Sequence, residues 1–203
     1  MYSYNDRIIA SKFTNCGQVC IAPDYIYAHK EIMTPLVTEL KKQIEAQFSK
    51  DPKSSPNYSR LIHKAHAERT QKMLSGHEDK IAAKYGEVDL EDKFFPPTLL
   101  IEPNINSQLM QEEIFGPILP IFAYESPMDL IKFIQKGARP LAVYYYGEPS
   151  SIVRQRLEES THSGAFLVND SVIHFAINTL PFGGIGDSGY GTTHGRAGKP
   201  FIT

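Results

Sequence analysis

The sequence predicts an α/β fold in which a mostly parallel β-sheet is flanked by helices. Short β-branched and aromatic segments alternate with longer segments that repeat apolar residues at helical spacing. The connections between them are short, and strands that alternate with helices in this way usually run parallel within one sheet. Residues 141–146 form a continuous apolar and aromatic run, which is typical of a strand covered on both faces.

The predicted elements follow one another along the whole chain. Helices are expected at 5–13, 35–48, 61–74, 127–134 and 150–160. Strands are expected at 24–28, 98–101, 118–124, 141–146 and 165–169. The polar segment 50–59 is predicted to be a loop, and the glycine-rich segment 180–198 an ordered but irregular one.

Two helix starts carry similar signals. Thr34 before Pro35, and Ser126 before Pro127, each place a hydroxyl at the cap and proline at the first helical position. Asp129 adds a carboxylate near the positive end of its helix dipole. We therefore expect helices to begin at both prolines.

Length and composition indicate one folded domain, which we predict to cover 1–203. Charged residues make up 22% of the chain and hydrophobic residues 41%, close to ordinary globular usage. The formal net charge is -2 and the basic residues are not clustered, so we expect no nucleic-acid partner. No signal peptide or membrane span is apparent, and we expect a cytoplasmic protein.

The two cysteines, Cys16 and Cys20, are too close together to act as a disulfide framework. A glycine turn at Gly17 precedes Cys20 and a predicted strand follows it, so rigid elements could hold this thiol while backbone N–H groups bind an oxyanion. An ordinary cysteine is a buried packing residue, and packing is the better interpretation of Cys16. A strained, reversible disulfide between the two stays open, and no ligand set for a metal is present.

Three motifs resemble the aldehyde dehydrogenase family. Phe13, Gly17, Gln18 and Cys20 are spaced as in its active-site signature F-x-x-x-G-Q-x-C. Residues 112–117 resemble its E-x-F-G-P motif, and residues 180–191 resemble the P-F-G-G-x-x-x-S-G-x-G loop near its substrate entrance. The segments 22–25, 168–174 and 190–195 are similar to the class 3 enzymes, which oxidise medium to long aliphatic and aromatic aldehydes.

The resemblance implies a role for five residues. Cys20 is the expected nucleophile, with its own backbone N–H and an asparagine side chain holding the oxyanion. Glu113 is expected to bind the nicotinamide ribose and Phe115 to flank the nicotinamide ring. Phe182 and His174 are expected near the substrate, although a hydrogen-bonded structural role remains the better interpretation of His174. The structural alternative for Glu113 is a solvated turn, and for Phe115 a core position.

The resemblance also implies the cofactor and partners: NAD or NADP, a small aldehyde, and a homo-oligomer for the full-length family enzyme. The oxyanion asparagine, the phosphate-binding lysine and the general-base glutamate of the family would precede this chain, which begins 19 residues before Cys20. We therefore expect a catalytic domain without its cofactor-binding domain, inefficient alone. The alternatives are a non-catalytic remnant that binds a partner and a weak thiol esterase.

Overall fold

The computed structural model describes residues 4–194, within which six α-helices and six strands follow one another in a largely alternating order. The strands are β1 (Ile26–His29), β2 (Ile81–Lys84), β3 (Thr98–Ile101), β4 (Ile118–Tyr124), β5 (Ala142–Tyr145) and β6 (Ala165–Val168). The helices are α1 (Tyr4–Phe13), α2 (Met33–Phe48), α3 (Lys64–Leu74), α4 (Gln108–Gln111), α5 (Pro127–Lys136) and α6 (Ile152–Ser160). The chain divides into two units, one ending at Ala123 and the other beginning at Tyr124. The single domain over 1–203 stays a prediction.

The strands of the described residues form two sheets. Four strands lie in the order β1-β4-β3-β2, and β5 pairs with β6. β3 runs parallel to β4, with Thr98 opposite Ile118, and β5 runs parallel to β6, whereas β2 is antiparallel to β3. The predicted α/β class, with a mostly parallel sheet flanked by helices, is confirmed.

The core of the first unit includes the central strands and one buried face of α2. Leu99 and Leu119 are fully buried at facing positions of β3 and β4. On α2, Leu40 and Ile44 have no exposed surface, and Phe48 continues the same helical stripe. Each such side chain contributes about 1.5–3 kcal/mol when it leaves water, so this stripe fixes the helix against the rest of the unit.

The start of α2 differs from the prediction, whereas the start of α5 agrees with it. α2 begins at Met33 directly after a 3-10 turn, so Thr34 is already inside the helix, where its carbonyl accepts the Thr38 hydroxyl. The helix needed no side-chain cap because the preceding turn leads straight into it. Ser126 does cap α5, accepting the Met128 N–H at 3.3 Å.

β2 and α4 were not predicted, and β5 is less buried than predicted. β2 contains two alanines in four residues and α4 has only four residues, so neither shows a strong pattern. The prediction that 141–146 is covered on both faces was wrong: every residue of β5 is partly exposed, and its sheet has only two strands. The apolar run therefore marked a strand without marking complete burial.

The glycine-rich loop is ordered and irregular over its described part, 180–194, as predicted. Phe182 and Thr193 exchange two backbone hydrogen bonds, at 3.1 and 2.7 Å. Between them, a Cβ on Gly183 would lie 2.2 Å from the Gly191 carbonyl oxygen, so the backbone approaches itself too closely for a side chain. The predictions for the N-terminal residues 1–3 and for 195–201 lie outside the described residues.

A close backbone contact joins the segment before Cys20 to the segment 112–117. Gly17 has φ 76°, and a Cβ built on it would lie 2.3 Å from the Gly116 carbonyl oxygen. Only glycine satisfies both the left-handed backbone and the short approach. Two motifs that are 99 residues apart in the sequence therefore touch through their glycines.

Replacing Gly17 with alanine should be much more destabilising than the same change at another left-handed glycine. Gly76 has φ 84°, but a methyl group added there would meet no atom within 4 Å, so Gly76→Ala tests the backbone cost alone. We expect a loss of about 1–2 kcal/mol for Gly76→Ala and of roughly 3 kcal/mol or more for Gly17→Ala, because overpacking is added. Urea unfolding followed by circular dichroism measures both, and equal losses would show that the Gly116 contact is unimportant.

Candidate active site

Cys20 lies exposed in a turn after three consecutive residues with left-handed backbone. α1 ends at Phe13, and Asn15, Cys16 and Gly17 then have φ of 51°, 57° and 76°. The next turn is closed by a hydrogen bond of 2.9 Å from the Ala22 N–H to the Val19 carbonyl. Cys20 is a free thiol on the surface of this turn. A ligand can therefore reach its sulfur.

Gln18 anchors this segment to the loop before α3. Its side-chain amide donates to the carbonyls of Asn15 at 2.9 Å and Arg60 at 3.1 Å. Its amide oxygen accepts the Ile62 N–H at 2.9 Å. Because all three bonds come from one side chain, Gln18 holds the backbone that presents Cys20.

Cys16 is a buried packing residue. Its thiol donates to the Tyr58 hydroxyl at 3.5 Å, and that hydroxyl donates to the Phe95 carbonyl at 2.9 Å. Burial raises the pKa of Cys16 to about 11, which keeps it protonated and unreactive near neutral pH. Both cysteines are free thiols, as expected, and the packing interpretation of Cys16 agrees with its burial.

Glu113 and Phe115 lie in an irregular loop between α4 and β4 that two side chains of α3 hold. The Arg69 guanidinium donates to the carbonyls of Glu113 at 2.6 Å and Ile114 at 2.9 Å. The ring of His66 donates from Nε2 to the Phe115 carbonyl at 2.7 Å. Phe115 has φ 47°, a left-handed conformation that costs a non-glycine residue about 1–2 kcal/mol. Strain retained by surrounding contacts is a feature of functional sites.

The opposite side of the same loop is held by an ion pair between the buried Lys12 and the partly exposed Asp24. Both carboxylate oxygens of Asp24 lie 3.2 Å from the Ile114 nitrogen and accept its N–H. Lys12, whose side chain is only 1% exposed, places its Nζ 3.9 Å from Asp24 Oδ1. Glu113 itself is exposed, and its carboxylate is available to a ligand. Partial desolvation and the nearby Asp24 raise the pKa of Glu113, while Arg69 and Lys12 oppose that shift.

A cavity of about 290 Å³ lies between the two motifs. Its lining residues are Asn15, Gln18, Arg60, Ile62 and Phe115. Phe115 contributes an aromatic ring to this cavity, and Glu113, which does not line it, has an exposed carboxylate two residues earlier in the loop; these groups suit the flat ring and the ribose hydroxyls of a nicotinamide riboside. The residues present therefore fit the nicotinamide end of NAD(P), and Phe115 is a cavity wall instead of a core residue.

The second unit brings Phe182 and His174 together in an aromatic cluster. The ring of His174 lies 5.6 Å from that of Phe182 and 6.2 Å from that of Tyr144. His174 is 8% exposed, and neither ring nitrogen has a hydrogen-bond partner among residues 4–194. The expectation of a hydrogen-bonded structural histidine was wrong. Burial lowers the pKa of His174, which favours the neutral ring, and its role toward substrate stays a prediction.

The described part of the chain offers neither a metal centre nor a helix suited to a bilayer. Across residues 4–194, no group of three His, Cys, Asp or Glu side chains could hold a metal ion. Within the same range, none of the helices has the length and apolar character needed to span a membrane.

The side chains that support the loop between α4 and β4 were not predicted from the sequence. Lys12 follows Ile8 by four residues and Ile9 by three, so helical spacing places it on the buried face of α1, a signal that was present. Arg69 and His66 lie three residues apart on α3, a spacing that places them on one face. Nothing in the sequence, however, indicated that this face meets the loop 112–116.

The two thiols should differ strongly in their reaction with iodoacetamide. In the folded chain we expect only Cys20 to be alkylated, because Cys16 has no exposed surface and a pKa of about 11. In urea both should react. Peptide mass spectrometry locates the label, and alkylation of Cys16 at the same rate as Cys20 under native conditions would contradict the assignment of the buried and exposed thiols.

Comparison with known proteins places the chain in a family. The sequence model of the "Aldehyde dehydrogenase family" matches residues 3–203. "Aldehyde dehydrogenase family 3 comG" of Dictyostelium discoideum is 40% identical over 190 residues, which are 94% of this chain and 40% of that protein. "Aldehyde dehydrogenase, dimeric NADP-preferring" of Bos taurus is 39% identical over 197 residues, covering 97% of this chain and 80% of the relative.

A solved structure agrees with the sequence comparison. The substrate-bound state of AldH from Staphylococcus aureus superposes with a TM-score of 0.91 at 36% identity, covering 96% of this chain and 42% of that one. The chain thus spans about two fifths of the length of the Dictyostelium and Staphylococcus proteins. On the family match and these identities, the chain belongs to the aldehyde dehydrogenase family.

Proposed function

We propose that this chain supplies the nucleophile and the nicotinamide-binding loop of an NAD(P)-dependent aldehyde dehydrogenase that converts aldehydes to carboxylic acids. The observation that carries the proposal is the contact between Gly17 and Gly116, which holds the Cys20 segment against the Glu113 loop. Hydride transfer needs the nucleophile and the nicotinamide side by side, since geometry of approach supplies much of the rate. Family membership supports the same reaction.

Cys20 is the proposed nucleophile. Its thiolate attacks the aldehyde carbonyl carbon, a C–S bond forms, and the carbonyl oxygen becomes the oxyanion of a thiohemiacetal. The backbone N–H of Cys20 is the proposed oxyanion donor within this chain. Exposure on a turn supports this role for Cys20, whereas burial and a pKa of about 11 argue against Cys16.

The loop residues act on the cofactor by position. NAD(P)⁺, when bound, would supply the hydride acceptor, and oxidation of the thiohemiacetal carbon would leave a thioester on Cys20 that water hydrolyses. The Glu113 carboxylate would accept the ribose hydroxyls, and the Phe115 ring would lie against the nicotinamide. Arg69 and His66 bond to the backbone carbonyls of this loop, so the main chain that carries both side chains is held before the cofactor arrives.

The proposals for the substrate and for the cofactor rest on less direct observations than the proposal for Cys20. Phe182, His174 and Tyr144 form an apolar aromatic surface, which suits an apolar aldehyde better than a charged one. The name of the bovine relative, "dimeric NADP-preferring", supports NADP and a homodimer as proposals for this chain. Because the chain spans about two fifths of several relatives, we propose that turnover requires a cofactor-binding segment in addition to residues 4–194. A cytoplasmic location is likewise a proposal.

Replacing Cys20 with alanine should abolish aldehyde-dependent NAD(P)H formation. In the enzyme containing this chain, we expect kcat to fall by on the order of 10³-fold or more, because no other group can form the covalent intermediate. Cys16→Ser is the matched control, since a hydroxyl can still bond to Tyr58, and it should retain activity within a few-fold. Absorbance at 340 nm follows the reaction, and a Cys20→Ala enzyme as fast as wild type would exclude the proposal.

A further inference from the structure

Lys12 is a cation on the apolar face of a helix. α1 buries Ile8, Ile9 and Phe13, and Lys12 lies among them with 1% of its side chain exposed. An isolated buried ammonium is strongly unfavourable, so such a group is retained where a carboxylate accompanies it. Asp24 is that carboxylate, at 3.9 Å. Desolvation lowers the pKa of Lys12 and raises that of Asp24, and their mutual attraction opposes both shifts.

Asp24 makes a second contact, with the loop between α4 and β4 that carries Glu113 and Phe115. Its two oxygens accept the N–H of Ile114, the residue between Glu113 and Phe115. Lys12 lies eight residues before Cys20, and Asp24 lies four after it. The ion pair therefore belongs to the segment that carries the nucleophile, while its hydrogen bond holds the segment that would orient the nicotinamide.

The loop has a conformational reason to need this support. Phe115 is held at φ 47°, and the carbonyls of Glu113 and Ile114 are already fixed by Arg69. Asp24 accepts the N–H of Ile114, which belongs to the same peptide group as the Glu113 carbonyl, so that peptide group is held from both ends. Without Asp24, the loop that carries the strained backbone of Phe115 would lose one of the contacts that hold it.

We propose that Lys12 and Asp24 are positioning residues, an ion pair between a buried lysine and a partly exposed aspartate that sets Glu113 and Phe115 relative to Cys20 for nicotinamide binding. This inference rests on the proposed function. In the proposed reaction Lys12 contacts neither substrate nor cofactor. Lys12 orients the Asp24 carboxylate, and Asp24 in turn orients the loop that carries Glu113 and Phe115. The expected consequence is specific to the cofactor side of the site.

The charge of Lys12 also acts on Glu113. The charged groups that face Glu113 are Asp24, which raises its pKa, and Arg69 and Lys12, which lower it. Removing Lys12 should therefore raise the pKa of Glu113 further. A protonated Glu113 accepts hydrogen bonds from the ribose hydroxyls more weakly than the carboxylate does, so NAD(P)⁺ affinity should fall as the pH falls, and the fall should begin at a higher pH in the variant.

The variants separate this role from a purely structural one. Lys12→Met keeps the length of the side chain and removes the charge, leaving Asp24 unpaired. Adding Asp24→Asn removes the second charge while keeping an oxygen that can accept the Ile114 N–H. Lys42→Met is the matched control, because Lys42 pairs with Glu39 on the exposed surface of α2. The double variant also guards against a single variant that fails to fold.

The first measurement needs no turnover. Hydrogen exchange at the Ile114 amide and the carboxyl ¹³C titration of Glu113 are recorded by NMR on the 203-residue chain. We expect Lys12→Met to accelerate exchange about tenfold and to raise the Glu113 pKa, the double variant to restore protection to within a few-fold, and Lys42→Met to change neither. Unchanged exchange and titration in Lys12→Met would overturn the proposal.

The second measurement uses the active enzyme. Lys12→Met should raise KM for NAD(P)⁺ about tenfold, more at low pH, while Cys20 acylation by p-nitrophenyl acetate stays within about twofold. The double variant should recover most of the cofactor KM. An unchanged KM, or equal losses in the single and double variants, would overturn the positioning role. A wild-type enzyme without aldehyde-dependent NAD(P)H formation would instead refute the proposed function, and the NMR result would still decide whether the pair supports the loop.

Discussion

The approach of Gly17 to the Gly116 carbonyl is the constraint on which the candidate site depends. It allows no side chain at Gly17, and it brings together two loops that the sequence separates by 99 residues. Neither loop has regular secondary structure that could set its position. Their relative placement comes instead from this backbone contact and from side chains that bridge to neighbouring elements, chiefly Gln18 on one side and Arg69 on the other.

The ion pair between Lys12 and Asp24 also supports these loops. The Lys12 ammonium is costly to bury, and its attraction to the partly exposed Asp24 offsets part of that cost. Replacing a buried ion pair with well-packed apolar residues is often neutral or stabilising, so net stability alone does not explain this pair. Its retention is understandable if Asp24 must accept a backbone N–H in a loop whose next residue, Phe115, has strained backbone.

The sequence predicted the elements better than the contacts between them. Helical spacing located α1 and the end of α2, and the capped proline located the start of α5, because these signals are local. The family resemblance selected Cys20 as the expected nucleophile and packing as the role of Cys16, and the structure has Cys20 exposed and Cys16 buried. The partners of the loop 112–116 were not predictable, since Arg69 reaches it across 44 residues and Asp24 across 90. Such pairings depend on how helices and strands pack, which no local pattern records.

The central claim is that Cys20, held beside the Glu113 loop, forms the covalent intermediate. The most direct measurement is an acid quench of the enzyme during a single turnover with aldehyde and NAD(P)⁺, followed by peptide mass spectrometry. The account predicts that the acyl group of the substrate is found as a thioester on the peptide containing Cys20, attached to that residue. An acyl group on Cys16 or on another side chain, or NAD(P)H formation with no acylated intermediate at any time, would contradict it.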